Sequence, residues 1–336
     1  MARYAVPRGR IVKGWTVRLK PTQEQVARFR RDDGARRFAC NWAVAEMRHA
    51  FDLGAAEGSY DSDVWSFYRL RKRWNSVKAE IAPWWAECSK EASSNGIADA
   101  VAALKNWHAS KSGRRQGPRV GFPRFRNKGK DPVRCTYTTG ALRVEDPRHI
   151  VLPRAGRVET AENVRVIWRH VRRGTGRILA ATVREKAGRW SVSLRLEITA
   201  PWRPQPRPDT VGVDVGVGRD LLVVMSSDGT AAHRVPNPRA LRASLGDLRR
   251  ATRALARKTE GSRRWRQAKR KLGRSHAKIA AIRSDTIHKA TTDLAKTHGQ
   301  IVIEDLSPRA HMKGLRSSRK SWADAAVGEI RRQLTY

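Results

Sequence analysis

Asp214 and Glu304 are the residues whose type and setting most invite chemistry in this chain. Asp214 stands in Val211-Gly212-Val213-Asp214-Val215-Gly216-Val217, and Glu304 in Gln300-Ile301-Val302-Ile303-Glu304-Asp305-Leu306. Short β-branched apolar runs of this kind read as central strands covered on both faces. A carboxylate on such a strand is costly unless something pairs with it, and a bound cation is the usual partner. The two lie 90 positions apart, so only tertiary structure can join them. Two-metal phosphodiester hydrolysis needs several carboxylates around cations about 4 Å apart, on a scaffold held to about half an ångström. Asp214 is expected to bridge the metals and Glu304 to contribute from the second strand. Hard oxygen donors favour Mg²⁺ or Mn²⁺ over zinc. The plainer alternatives are a loop-end aspartate bonded to backbone amides and an edge-strand salt bridge.

The surrounding pattern supplies the elements that must position this pair. Thr210–Val217, Leu221–Met225 and Thr230–Val235 read as strands, with Ser227-Asp228-Gly229 as a hairpin turn. Two long basic helices follow, at about Pro238–Arg257 and Arg263–Lys296. Leu241, Leu245, Leu248 and Leu255 mark the apolar face of the first; Ile279, Ile282, Thr286, Ala290 and Leu294 mark that of the second. After the Ile301–Glu304 strand come a loop rich in Ser, Arg and Lys and a short helix from Trp322.

Upstream, Ile11–Leu19 reads as a strand, and helices are expected from Pro21-Thr22, at Val64–Lys78 and at Ser89–Ser110. Phe38, Trp42 and Ala45 fall at i, i+4 and i+7, the spacing of a helix-core stripe. Trp65, Trp74, Trp84, Trp85 and Trp107 read as core packing here, or as stacking faces for bases if exposed. Cys135–Thr138, Ile150–Leu152, Val164–Trp168, Leu179–Glu185 and Trp190–Ile198 read as short strands between turns. They suggest a small antiparallel barrel or sandwich, completed by Ile11–Leu19, with the helices inserted. Pro201–Pro208 reads as a stiff linker.

At 336 residues the length suggests two or three domains. Lys and Arg number 70 against 31 Asp and Glu, a formal net charge of +39. Such an excess repels itself in a compact fold without a polyanion, and nucleic acid is the leading candidate. Between Arg239 and Lys289 there are 17 Lys and Arg and three acids. Arg249, Arg250, Arg253, Arg257, Arg263, Arg264, Lys269 and Arg270 are the residues expected to lie along nucleic acid there. Arg114–Lys130 carries seven basic residues and no acid, with glycines, prolines, Phe122 and Phe125 interleaved. It reads either as a solvated face or as a phosphate-gripping loop using Arg114, Arg115, Arg119, Arg124, Arg126 and Lys128. No apolar run approaches the roughly 20 residues of a membrane span, and Met1–Arg10 has no apolar core of a secretory signal. The expectation is a cytoplasmic, nucleoid-associated protein. Cys40, Cys88 and Cys135 are scattered, which argues for packing roles and against a disulfide framework or a zinc site.

Val211–Gly216 followed by Ser227-Asp228-Gly229 resembles the opening RuvC motif of TnpB proteins, transposon-encoded relatives of type V CRISPR effectors. Ile301–Leu306 resembles their second RuvC motif, with Met312 where the family often has one. Arg283–Thr291, Leu19-Lys20-Pro21-Thr22-Gln23-Glu24-Gln25 and Phe122-Pro123-Arg124-Phe125 also look typical, and the set runs in the family's order over nearly the whole chain. The resemblance implies an RNase H-like (RuvC) nuclease domain at 209–336, an oligonucleotide-binding-type β-barrel at 1–21 and 113–200, and a helical recognition insertion at 22–112. It implies a guide RNA from the transposon end that selects double-stranded DNA by pairing, while the protein reads a short adjacent motif.

The family continues past a helix resembling Ser321–Tyr336 into a zinc ribbon and a third RuvC motif with an essential aspartate. The sequence ends at Tyr336, so the expectation is an incomplete centre with impaired cutting. Asp324 and Glu329 are poor substitutes for the third acid. The competing expectations are an RNA-binding or RNA-guided DNA-binding protein that does not cut, and, more weakly, a transposase.

Overall fold

The computed structural model describes residues 7, 9–57, 66–115, 117–138, 141–200, 209–226, 229, 231–306 and 316–335. The chain divides into two compact units, Met1–Pro201 and Trp202–Tyr336. The proline-rich segment 201–208, Trp65, Met312 and the Ser227-Asp228 part of the expected hairpin turn lie outside the described residues.

The strands of the first unit are β1 (Arg10–Lys20), β2 (Arg134–Tyr137), β3 (Arg143–Asp146), β4 (His149–Leu152), β5 (Gly156–Thr160), β6 (Gly176–Lys186) and β7 (Arg189–Thr199). They pair in the order β2-β6-β7-β1-β5-β4-β3, each pairing antiparallel. On β7, Trp190, Val192, Leu194, Leu196 and Ile198 are all buried, the period of two that a half-covered strand requires. Lys186 pairs with Arg189, which leaves a two-residue hairpin loop of Ala187 (φ 53°) and Gly188 (φ 75°). Both positions are left-handed, as the twist of such a loop demands. Every strand lends buried side chains to one apolar cluster, from Cys135 and Tyr137 at one edge to Val144 at the other.

Helices α1 (Gln23–Glu57), α2 (Phe67–Ile81) and α3 (Lys90–Lys111), with a 3-10 turn at Pro83–Glu87, stand between β1 and β2, and α4 (Arg165–Arg172) between β5 and β6. The last of these corrects the strand expected at Val164–Trp168. Val164 and Ile167 are buried and Val171 packs beside them, an i, i+3, i+7 stripe that only a helix aligns. The core stripe of α1 also differs from Phe38, Trp42 and Ala45: Phe38 is 39% exposed, and Ala39, Cys40, Ala43, Val44 and Met47 are buried instead. Small residues win this face because α3 comes very close: a Cβ added at Gly96 would lie 2.2 Å from the Arg36 carbonyl oxygen. Aromatic rings cap the rim, with Trp74 edge-on to Trp42 at 5.3 Å. Trp74 is buried, whereas Trp85 is 38% exposed. Asp32 ties α1 to its neighbours by accepting from the Ser89 amide (2.9 Å) and the Tyr137 hydroxyl (2.9 Å). All three cysteines are free and buried, as packing residues would be.

In the second unit β8 (Thr210–Val215), β9 (Asp220–Ser226), β10 (Ala231–Pro236) and β11 (Gln300–Ile303) pair in the order β10-β9-β8-β11. β9 is antiparallel to both β8 and β10, and β11 runs parallel to β8. The helices are α5 (Ala240–Ala243), α6 (Leu245–Ala256), α7 (Arg263–Thr297), α8 (Arg316–Ala325) and α9 (Val327–Leu334). Val211, Val213 and Val215, with Leu222 and Val224, pack against Ile287, Ala290 and Leu294 of α7 and Ile330 of α9. The opposite face is open: Gly212 and Asp214 are exposed, and so are Met225 and Val302 at 37% and 53%. Coverage of both faces, the reading of the apolar runs, therefore does not hold among the described residues. The runs look continuous because glycine and valine, rather than polar side chains, alternate with the core positions. The first basic helix breaks at Ser244 into α5 and α6, and Ile282 faces outward at 38% exposure while Ile287 is buried.

Candidate functional site

Strand register brings the two carboxylates together. Parallel pairing of β11 with β8 sets Val302 beside Gly212 and Ile303 beside Val213. Asp214 is the next residue of β8 and Glu304 the first residue beyond β11, so continuing the register sets the pair level, about 4.8 Å apart at the backbone. Both are exposed, on the face turned away from the α7 core, because each follows a core-facing valine or isoleucine by one residue. The desolvation expected from a doubly covered sheet is absent here. A solvent-open pair of like charges is instead a ready receptor for a cation. Gly212, one alternation earlier, contributes no side chain to this face.

The other acids nearby are engaged. Asp305 meets Arg331 at 2.5 Å. Asp324, 5% exposed, accepts from the Leu241 and Arg242 amides at 2.9 and 3.0 Å, closing the start of α5. Glu329 holds Arg332 at 2.6 Å and accepts from Gln333 at 2.7 Å; the Arg332 guanidinium beside it lowers its carboxyl to about 2. Neither Asp324 nor Glu329 stands as a third partner. Among the described residues no three His, Cys, Asp or Glu side chains gather into a metal-binding group. Two carboxylates fit a hard divalent cation by donor type, as part of a shell rather than the whole of it.

The basic residues form two kinds of surface. Arg249 and Arg253 on α6 and Arg257 at its end are exposed at four-residue intervals, a row with about 6 Å between steps. Arg250 is turned to Asp247. On α7, capped by Ser262 accepting from the Trp265 amide at 3.0 Å, Arg263, Arg264 and Arg270 are exposed. Lys269 lies 4.4 Å over the Trp265 ring. In the first unit, Arg114, Arg119, Arg124 and Lys128 are exposed, and Arg115 bonds the Pro118 carbonyl at 2.8 Å.

The segment around Phe122 is a docked strap as much as a free loop. Phe122 packs on the helical core beside Trp107, 5.2 Å between rings, and Pro123 is buried. Arg126 is half-buried and bonds Asp99 at 3.2 Å, while Asn41 bonds its backbone on both sides. Arg126 therefore serves the fold, whereas Phe125, 49% exposed with Arg48 5.5 Å over its ring, stays available. Sequence reasoning missed the arginines of α4: Arg165, Arg169 and Arg172 all point to solvent. The apolar i, i+3, i+7 spacing of Val164, Ile167 and Val171 was the signal that could have found them.

Comparison with known proteins adds a family. Residues 193–314 match a family described as probable transposase, OrfB of the IS605 type, and residues 12–54 match one described as a helix-turn-helix domain. In the structure the latter stretch is β1 followed by most of the single long helix α1. A Mycobacterium tuberculosis protein that carries the name of an RNA-guided DNA endonuclease is 44% identical across 100% of this chain and 76% of its own length. An Escherichia coli protein named in the same way is 28% identical, over 97% of this chain and 77% of its own. A solved complex of Cas12f1 with single guide RNA and target DNA has a TM-score of 0.45 at 9% identity, over 97% of this chain and 87% of that one.

Proposed function

Because the chain belongs to the TnpB family of transposon-associated proteins, we propose that it acts as an RNA-guided DNA endonuclease, with Asp214 and Glu304 in a RuvC-type centre. The observation that carries this reading is the level placement of the two carboxylates on neighbouring parallel strands of an open sheet face. The strand order of the second unit supports an RNase H-like domain at 209–336, since the first three strands are antiparallel and the fourth joins parallel beside the first. For the first unit, the shared core of all seven strands supports an oligonucleotide-binding barrel from 1–21 and 113–200. The placement of α1 to α3 between β1 and β2 supports a recognition insertion at 22–112.

The roles follow from the chemistry of the side chains. Asp214 and Glu304 would hold Mg²⁺ or Mn²⁺ through carboxylate oxygens. A divalent cation bound there stabilises the charge that develops on phosphodiester cleavage. The arginine rows of α6 and α7 and the strap arginines would grip phosphates of guide and target, contacts that position without reading sequence. Base pairing to the guide RNA would carry the specificity.

The test is cleavage of duplex DNA matched to the guide, by the protein with RNA from its transposon end and Mg²⁺. Asp214→Ala and Glu304→Ala are each expected to lower the rate by roughly 100-fold or more, the scale of losing one charge-stabilising group, while guide-dependent target binding persists. Cutting at the parental rate by either variant would overturn the assignment. A parent protein that binds the matched target but never cuts it would establish the non-cleaving alternative.

A further inference from the structure

A pocket of about 280 Å³ opens in the second unit just past the end of β8, where Val217 forms part of its wall. Its other apolar walls are Leu241 and Leu245, and its cationic walls are Arg239, Arg242 and Lys320. Among the described residues none of these three cations has a carboxylate partner. The acid in the wall, Asp324, is already engaged by the Leu241 and Arg242 amides. The lining therefore combines three cations with apolar side chains, which suits a phosphate joined to a sugar and base.

The position of Arg239 is built rather than incidental. Its backbone is left-handed, at φ 43° and ψ 39°, a conformation that strains a residue with a side chain and that clusters at binding sites. Asn237 Oδ1 accepts from the Arg239 amide at 3.0 Å, and Arg239 Nε donates to the Gly218 carbonyl at 3.1 Å. These bonds fix the guanidinium against the loop that follows β8. Val217 is three residues beyond Asp214, so the pocket begins within about 10 Å of the carboxylate pair.

We propose that this pocket seats a backbone phosphate of the DNA strand next to the bond presented to Asp214 and Glu304. This rests on the reading of those carboxylates as the cutting site. The apolar walls take the sugar and base, and Arg239, Arg242 and Lys320 take the phosphate. The pocket thereby orients a single strand across the open sheet face.

The experiment uses the 336-residue protein, fluorescent single-stranded oligothymidylate, and EDTA, without guide RNA. Arg242→Gln with Lys320→Gln is compared with Arg71→Gln with Arg195→Gln, an equal charge change at exposed positions of the first unit. Thermal unfolding of both double variants confirms that each is folded. The pocket variant is expected to bind roughly tenfold more weakly than the control. The slope of log K against log salt is expected to fall by about 0.7 for each phosphate that the two substitutions leave unneutralised. Equal weakening in the two double variants would overturn the proposal. Tighter binding of oligouridylate than of oligothymidylate through the same two residues would overturn the choice of DNA. With no metal and no guide in the assay, inactivity of the carboxylate pair in cleavage leaves this result unaffected.

Discussion

Gly96 shows how much one side chain can decide. An added Cβ would lie 2.2 Å from the Arg36 carbonyl oxygen and 2.9 Å from the Cys40 amide nitrogen, both backbone atoms of α1. Gly96→Ala must push α1 and α3 apart and is expected to destabilise by about 1–3 kcal/mol or more, read as a lower Tm. Gly34→Ala, in α1 where the nearest atom is an Arg37 side-chain nitrogen at 3.8 Å, is the opposite case. It is expected to stabilise by up to about 1 kcal/mol, because alanine loses less backbone freedom in a helix. Asp214 and Glu304 belong to this scale too. Both were singled out from two short apolar runs, but the burial between two covered faces expected of them is not what the structure shows. They are adjacent because the parallel register of β8 and β11 spans a 90-residue offset, and they are exposed, not desolvated.

Elements were legible where their apolar period was long and misread where it was short. The ten registered pairs between β1 and β7 rest on a clear alternation, whereas five residues at Val164–Trp168 could not separate a strand from the first turn of α4. The expected helix at α1 is present with its stripe turned by one position, because close approach of α3 selects small residues and leaves the larger rings to the rim. At the end of the chain, α9 is held to α7 through Gln333, which accepts from Thr291 at 2.8 Å and donates to Glu329 at 2.7 Å. Arg332 and Gln333 lower the Glu329 carboxyl from 4.5 to about 2. Between those values the unfolded chain binds more protons, so this stabilisation is full above about 4.5 and is lost as pH falls through about 2. Its side chain is 36% exposed, which keeps the effect below about 1 kcal/mol. Denaturant unfolding of Glu329→Gln should show a deficit of that size at neutral pH that disappears toward pH 2; a deficit independent of pH would show that the ion pair is not its source.

At the scale of the whole molecule, a formal charge of +39 requires polyanion binding to be steeply salt-dependent. Replacing Arg249, Arg253, Arg263 and Arg264 with glutamine is expected to flatten the log K against log salt slope for duplex DNA by about 0.9 for each phosphate no longer neutralised. A slope unchanged by all four would remove α6 and α7 from the nucleic-acid surface. The division of labour between sequence and structure follows from what each kind of physics needs. Charge excess, strand and helix periods, and the paired carboxylate runs are local or additive properties, so the amino-acid order alone determined the expectation of a polyanionic partner, most elements and the family resemblance. Which face a residue occupies depends on what packs against it, and that is a contact between distant segments. Only the tertiary structure could therefore turn Asp214 and Glu304 to the same open face, draw Arg126 into an ion pair with Asp99, commit Asp324 to the α5 amides, and gather Arg239, Arg242 and Lys320 around one pocket.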